Sequence, residues 1–381
     1  MLALWLIMHK NYKKKIRSKS SSLEVQGSTI YFKEVDQLLL RDNYTNMFNE
    51  VNSHVKESAE KLGASGSALF IIHNDKIVTE AYFGKQSNAA HARDVKADTQ
   101  FHIASVRKAY IGLAAAYALY NGYFSIDDPV RMFVEDSNLS AYEGVTIRHL
   151  LTHTHGLRTV NGDLISEYKP GESWAYRGPS IDLLAAIIRK TTGHSVADIV
   201  REQVIEPCGF QSTEWIKMSQ PHAKIADTIR DPDNLFWTET DITDGSGMNM
   251  YVSAKDLALF GYLHLTEGEW GGKQLIPREI IQIATSIQTP NPELPIHKNG
   301  FLWFIKDTNY DFNQIGDTVP KGSYQLLGYT NVALLVIPEE NLVAVRMFNR
   351  YGSPGGYDYL KDIRTFGDTV YKCSIKTSTI Q

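Results

Sequence analysis

Apolar positions along the chain fall into runs of two different periods. Between residues 40 and 62 they recur at helical spacing, with Met47, Val51, Val55 and Leu62 among them. Residues 67–84, SALFIIHNDKIVTEAYFG, hold two β-rich runs around His73-Asn74-Asp75-Lys76, which predicts a hairpin. Residues 101–104 are strand-like, and the apolar stretch AYIGLAAAYALYNG soon after reads as a helix reaching Gly122. VTIRHLLTHTHGL predicts a short helix ended by Gly156. Helices are also predicted over residues 180–192 and 195–205, separated by Gly193 and closed by Pro207, with loop-rich sequence to residue 247. Ser253 caps a helix in SAKDLALFGYLHLTEG with Asp256 at the capping-box position, and Pro277 starts one more. The pattern then changes. FLWFIKD, SYQLLGY, NVALLVIP and NLVAVRMFN read as strands, Pro338-Glu339-Glu340-Asn341 as a turn, and residues 357–371 as a last helix.

Strands at both chain ends and helices between them predict an α+β fold: an antiparallel sheet flanked by helices, with a mainly helical insertion at about residues 105–290. Residues 1–27 are basic and Ser-rich and are expected to be poorly ordered, residues 28–375 form the domain, and 376–381 form a tail. The 381 residues suffice for one large domain or two intimate ones. A net charge of −4 gives no broad electrostatic case for nucleic acid. Cys208 and Cys373 alone cannot build a disulfide framework. The apolar start MLALWLIM precedes its basic run, the reverse of a secretory signal, and is too short to span a bilayer. A cytoplasmic protein without stable membrane insertion is expected.

The chemistry centres on Phe101-His102-Ile103-Ala104-Ser105-Val106-Arg107-Lys108. A serine at a strand-to-helix junction, with a lysine one turn later on the same face, forms an S-x-x-K motif. A serine hydroxyl needs a group that takes its proton, and a partly buried lysine can do so. The motif occurs four times, at Ser53, Ser58, Ser105 and Ser166, and only Ser105 opens an apolar helix after an apolar strand. On these residues alone Ser105 is as readily a helix cap.

Five ordered passages go further: FHIASVRK, VTIRHLLTHTHGL, PGESWAY with IDLLAAIIRKTTGHS, GSGMNMYVSAKDLALFGYLHLTEGEWGGKQLIP, and NVALLVIPEENLVAVRMFN. Over roughly residues 45–370 the chain resembles the serine β-lactamase/penicillin-binding-protein superfamily. It is most similar to the class C β-lactamase-like branch with its esterases, D-amino-acid peptidases and 6-aminohexanoate-dimer hydrolases. The resemblance implies Ser105 as acylated nucleophile and Lys108 as its partner. It implies Tyr176 as the tyrosine of the family's Y-x-N motif, its pKa lowered by nearby ammonium groups so that it shares the proton work. In that alignment the backbone N–H groups of Ser105 and Tyr329 form an oxyanion hole. Which of Lys108 and Tyr176 is the base stays open.

Two departures bear on substrate. Tyr176-Arg177-Gly178 lacks the Y-x-N asparagine, and Leu326-Leu327-Gly328 stands where the family has Lys-Thr-Gly. Both losses remove grips for a β-lactam. The expectation is a serine hydrolase for a small ester, amide or peptide-like molecule, using neither metal nor organic cofactor. The alternatives are a catalytically impaired penicillin-binding or regulatory domain and a true β-lactamase; oligomeric state is not indicated. Trp174, Arg177, Gly178, Gly328 and Trp303 are pocket candidates. Thr152-His153-Thr154-His155 lacks the Asp and His that an H-x-H-x-D-H metal motif requires; the resemblance implies that these histidines are structural, packing a helix end and donating to backbone carbonyls. Tyr110, Tyr117 and Tyr120 read as packing positions on the helix after Ser105.

Overall fold

The computed structural model describes residues 40–135, 139–231, 240–308 and 313–376. The basic segment 1–27 and the tail beyond residue 376 lie outside them. Helix α1 (Asn49–Leu62) ends at Gly63 in the left-handed conformation. It leads into the hairpin β1 (Gly66–His73) and β2 (Lys76–Gly84). Asn74 and Asp75 both have positive φ, the geometry a tight two-residue turn requires. A short strand, β3 (Gln100–His102), and a 3-10 turn (Ala104–Arg107) precede α2 (Lys108–Tyr120). The helical region continues with α3 (Ile147–Leu151), the small hairpin β4 (Leu157–Val160) and β5 (Asp163–Ser166), α4 (Pro179–Thr192) and α5 (Val196–Val200). Then come β6 (Thr213–Trp215), β7 (Met250–Ser253), α6 (Ala254–Leu265) and α7 (Arg278–Thr285). The chain closes with β8 (Phe304–Ile305), β9 (Tyr324–Leu327), β10 (Ala333–Ile337), β11 (Leu342–Phe348) and α8 (Tyr359–Ile375).

The main sheet has the order Arg41–Asp42, β2, β1, β11, β10, β9, β8, so both chain ends build it. Its pairs are antiparallel except at Arg41–Asp42. Alternation along the central strands feeds two cores. Ala68, Phe70, Val343 and Val345 face the helical region, while Leu69, Ile71, Leu342 and Ala344 face α1 and α8. Two covered faces explain why these strands read as nearly unbroken apolar runs.

Helix α2 is apolar on nearly every side and runs through the larger core. A Cβ on its Gly112 would stand 2.3 Å from the Phe301 carbonyl oxygen. Gly112→Ala is therefore expected to lower stability by about 1–3 kcal/mol, although alanine is the better helix former. A reduced denaturant midpoint at unchanged slope would show it.

Several boundaries differ from expectation. The helix in VTIRHLLTHTHGL stops at Leu151, because His153 adopts φ 57° and Leu157 begins β4. Pro207 does not close the helix before it; a π segment at Arg201–Ile205 loosens the register, and the helix runs to Cys208. Ser253 Oγ accepts from the Asp256 N–H, but Asp256 does not complete a capping box. Its carboxylate accepts from Ser212 N–H at 2.7 Å and the Thr213 hydroxyl at 2.9 Å. Among the described residues no helix is long and apolar enough to cross a membrane.

Candidate active site

Strand β3 pairs with β7 in a separate three-stranded sheet and carries the chain to Ile103. Ala104 then takes φ 46°, a left-handed conformation that costs an L-residue about 1–2 kcal/mol. The following 3-10 turn sets Ser105 ahead of α2 rather than at its cap, and no side-chain cap bond forms at the N-terminus of either element. Ser105 Oγ instead accepts from Lys108 Nζ at 3.3 Å. Lys108 is 8% exposed. Burial holds its pKa well below the usual lysine range, the Arg107 charge adds to this, and Asp182 opposes it.

Tyr176 completes the cluster. Lys108 Nζ lies 3.6 Å from its ring centroid, so the ammonium group meets the π face rather than the hydroxyl alone. The phenol hydrogen-bonds Ser105, yet its pKa is raised to about 12, because burial of the oxygen outweighs the Ser105 bond and the Arg107 charge. This corrects the expected lowering. Tyr176 as a whole is nevertheless 40% exposed.

His153 belongs to this cluster, which its sequence did not reveal. Its ring lies 4.6 Å from that of Tyr176 and 5.9 Å from that of Trp174, and its carbonyl accepts from Ala175 N–H at 3.0 Å. Among the described residues it makes no donation to a backbone carbonyl, and neither does His155, whose Nδ1 accepts from Leu157 N–H at 2.8 Å. The expected donor roles are thus reversed or missing. Burial, with the Lys108 charge, holds the His153 pKa well below the usual range and keeps it neutral. Among the described residues no group of three His, Cys, Asp or Glu side chains could hold a metal ion.

On the other side, the loop after β9 presses on the nucleophile turn. A Cβ on Gly328 would stand 2.5 Å from the Ile103 carbonyl oxygen, so only glycine permits this approach. Tyr329 follows, with its ring 4.8 Å from that of Tyr351. Among the described residues its N–H donates to no backbone or side-chain acceptor.

The beta-lactamase family model matches residues 51–365. The chain belongs to the beta-lactamase family. This family member is 50% identical over 330 residues to an uncharacterized protein of Alkalihalophilus pseudofirmus, covering 86% of this chain and 97% of that one. It is 26% identical over 197 residues to penicillin-binding protein 4* of Bacillus subtilis, covering 45% of this chain and 41% of that protein. With esterase EstB of Burkholderia gladioli the identity is 27% over 225 residues, or 48% and 56% of the two chains. The match thus spans about half the length of these two relatives. A penicillin-binding-protein homologue from Caulobacter crescentus superposes with a TM-score of 0.70 at 17% identity, covering 87% of this chain and 98% of that one. EstCE1, described as a hydrolase with promiscuous acyltransferase activity, superposes at 0.63 with 16% identity, covering 86% and 98%. These two likenesses establish the shared fold.

The remaining pocket candidates of this beta-lactamase-family chain divide. Trp174 stays beside the His153–Tyr176 cluster, its Nε1–H donating to Asn299 Oδ1 at 2.8 Å and its ring 4.3 Å from that of His297. Arg177 turns away, donating to both Glu167 carboxylate oxygens at 3.2 and 3.0 Å. Gly178 precedes α4 with open space where a Cβ would go, so nothing steric demands glycine there. Trp303 is not a pocket residue: it is fully buried, stacked with Phe260 and edge-on to Tyr324. Tyr110 packs in the core as expected, Tyr117 is partly buried and Tyr120 is 50% exposed.

Proposed function

We propose that the chain is a serine hydrolase that cleaves a small ester or amide through an acyl-Ser105 intermediate. The 3.3 Å contact between Ser105 Oγ and a buried Lys108 Nζ carries the reading. Lys108, biased toward its neutral amine, takes the proton as Ser105 Oγ bonds to the substrate carbonyl carbon. The Ser105 and Tyr329 amides receive the oxyanion. The tetrahedral species collapses, the bond to the leaving alcohol or amine breaks, and that group departs with a proton delivered through Lys108 or the Tyr176 hydroxyl. With a pKa near 12, Tyr176 stays protonated at neutral pH and serves as donor rather than base. Water then attacks the acyl-serine carbonyl, with Lys108 again taking a proton; the bond from that carbon to Ser105 Oγ breaks, Lys108 returns the proton to Ser105 Oγ, and the acid is released. Family membership and the esterase and penicillin-binding relatives support a hydrolase.

Incubation with a fluorophosphonate, a fluorescent penicillin and p-nitrophenyl acetate, with adduct mapping by mass, tests the proposal. A Ser105 adduct together with ester turnover supports it. A stable penicillin adduct without turnover of any probe, or no adduct at all, sinks it. Rapid nitrocefin hydrolysis would instead mark a true β-lactamase.

The Lys108 assignment also predicts a pH profile. The amine must be neutral, so kcat/KM should rise with pH through the Lys108 pKa, and that limb should lie well below the ordinary lysine value of about 10.4. A profile rising only near the ordinary value would contradict the role.

A further inference from the structure

We infer that Thr330 and Asn331 are positioning residues that bolt the Tyr329 amide in place relative to Ser105 and so set how well the site receives an oxyanion. The inference rests on the hydrolase reading above. Thr330 is fully buried, and its hydroxyl donates to the His102 carbonyl at 2.7 Å. His102 is the last residue of β3, and only Ile103 and Ala104 separate it from Ser105. Tyr329 is bonded directly to Thr330. One hydrogen bond and a handful of peptide units therefore link the two amides. The strained φ of Ala104 and the hard contact of Gly328 on the Ile103 carbonyl leave this link little slack.

Asn331 supplies a second bolt. It is 2% exposed, and its Nδ2 donates to the Gly352 carbonyl at 2.8 Å and the Arg350 carbonyl at 3.1 Å. Gly352 N–H donates back to the Tyr329 carbonyl at 2.7 Å. Asn331 adopts φ 60°, which lets its own N–H reach the Gly328 carbonyl at 2.9 Å, and Gly328 N–H reaches Val332 at 2.8 Å. The tyrosine side chain does not hold the residue, since 52% of it faces solvent. The carbonyl of Tyr329 and the side chains of its two successors are thus pinned, while its N–H is left without an acceptor among the described residues. An oxyanion donor must lie about 2.7–3.1 Å from the charge it stabilises, and a shift of about 1 Å can cost 100-fold in rate.

The test uses the full chain, with kcat and KM for p-nitrophenyl acetate and inhibition by phenylboronic acid. Phenylboronic acid forms a tetrahedral adduct on a reactive serine and probes the same amides. Thr330→Val keeps the shape but removes the hydroxyl that donates to the His102 carbonyl. It should lower kcat roughly tenfold with KM within about twofold, and weaken phenylboronate by a similar factor. Thr330→Ser, which restores the hydroxyl, should recover most of the rate. Asn331→Gly keeps the left-handed backbone but removes the second bolt, should lose kcat in the same way, and stands in if Thr330→Val fails to fold. Folded Val and Gly variants with kcat and phenylboronate affinity within twofold of the parent overturn the inference; if turnover in that parent still depends on Ser105, the hydrolase reading stands. Absence of parental turnover and of any Ser105 adduct overturns both.

Discussion

Ser105→Ala is expected to abolish ester turnover, with kcat falling about 10⁴-fold or more while the protein stays folded. The hydroxyl is half-buried and, among the described residues, is tied only to Lys108, which donates to it, and to Tyr176, so its loss leaves the fold's bonds in place. Lys108→Met should be equally inactive but more stable than the parent. The ammonium group is buried beside Arg107, its burial disfavours the charged form, and a thioether of similar length removes that cost. Sign and window follow from linkage. A lysine whose folded pKa is depressed binds fewer protons in the folded state, so its penalty is full below the folded pKa and fades as pH rises toward the unfolded value of about 10.4. The stability gain of Lys108→Met should therefore shrink at alkaline pH. Activity retained by Ser105→Ala would remove the nucleophile assignment. A Lys108→Met variant that is both inactive and strongly destabilised would show the lysine to be structural.

The second large effect lies on the far face of the sheet. Arg346 is fully buried in β11, and its Nη2 lies 2.6 Å from Asp362 Oδ2 on α8. Ser58 donates to Asp362 Oδ1 at 2.7 Å, and His54 Nε2 lies 3.2 Å from the same oxygen. Asp362→Ala would leave a buried guanidinium without its counter-ion, which costs about 3–5 kcal/mol, a large part of a typical stability of about 5–15 kcal/mol. Burial alone would raise the Asp362 pKa, but His54, Arg346 and Ser58 together outweigh it and hold the carboxyl far below the usual range. A depressed carboxylate contributes stability that is complete above the unfolded pKa of about 3.9 and is lost as pH falls toward the folded value. Acid unfolding of the parent should thus fall below about pH 4, and Asp362→Ala should flatten that dependence. The double substitution Arg346→Met with Asp362→Leu should recover most of the loss, because an apolar pair carries no unpaired charge. A single Asp362→Ala that unfolds at the parental denaturant midpoint would refute the account.

The elements were legible because their signals are local. The hairpin could be read from Asn74-Asp75, residues that tolerate positive φ, and the central strands from runs that two covered faces keep apolar. Helix α2 could be read from its alanine-rich, all-apolar sequence. Boundaries were less legible where a contact outside the element decided them. The left-handed turn at His153 and the use of Asp256 by Ser212 and Thr213 are examples. Trp303 and Arg177 show the same limit in the site. An indole that could line a pocket was taken by the core, and a guanidinium beside Tyr176 was taken by Glu167.

The sequence by itself determined the α+β architecture, the position of Ser105 between a strand and an apolar helix, and the spacing that sets Lys108 within reach of it. Those follow from periodicity and from geometry within one turn of chain. Only the tertiary structure decided what these groups are electrostatically. Burial of Lys108 beside Arg107 favours the neutral amine, and burial of the Tyr176 oxygen raises a pKa that neighbouring cations alone would lower. His153 enters the cluster, and the Thr330 hydroxyl reaches His102, across 228 positions of sequence in the latter case. Desolvation and long-range hydrogen bonds depend on what the rest of the chain packs around a residue, and no local pattern encodes that.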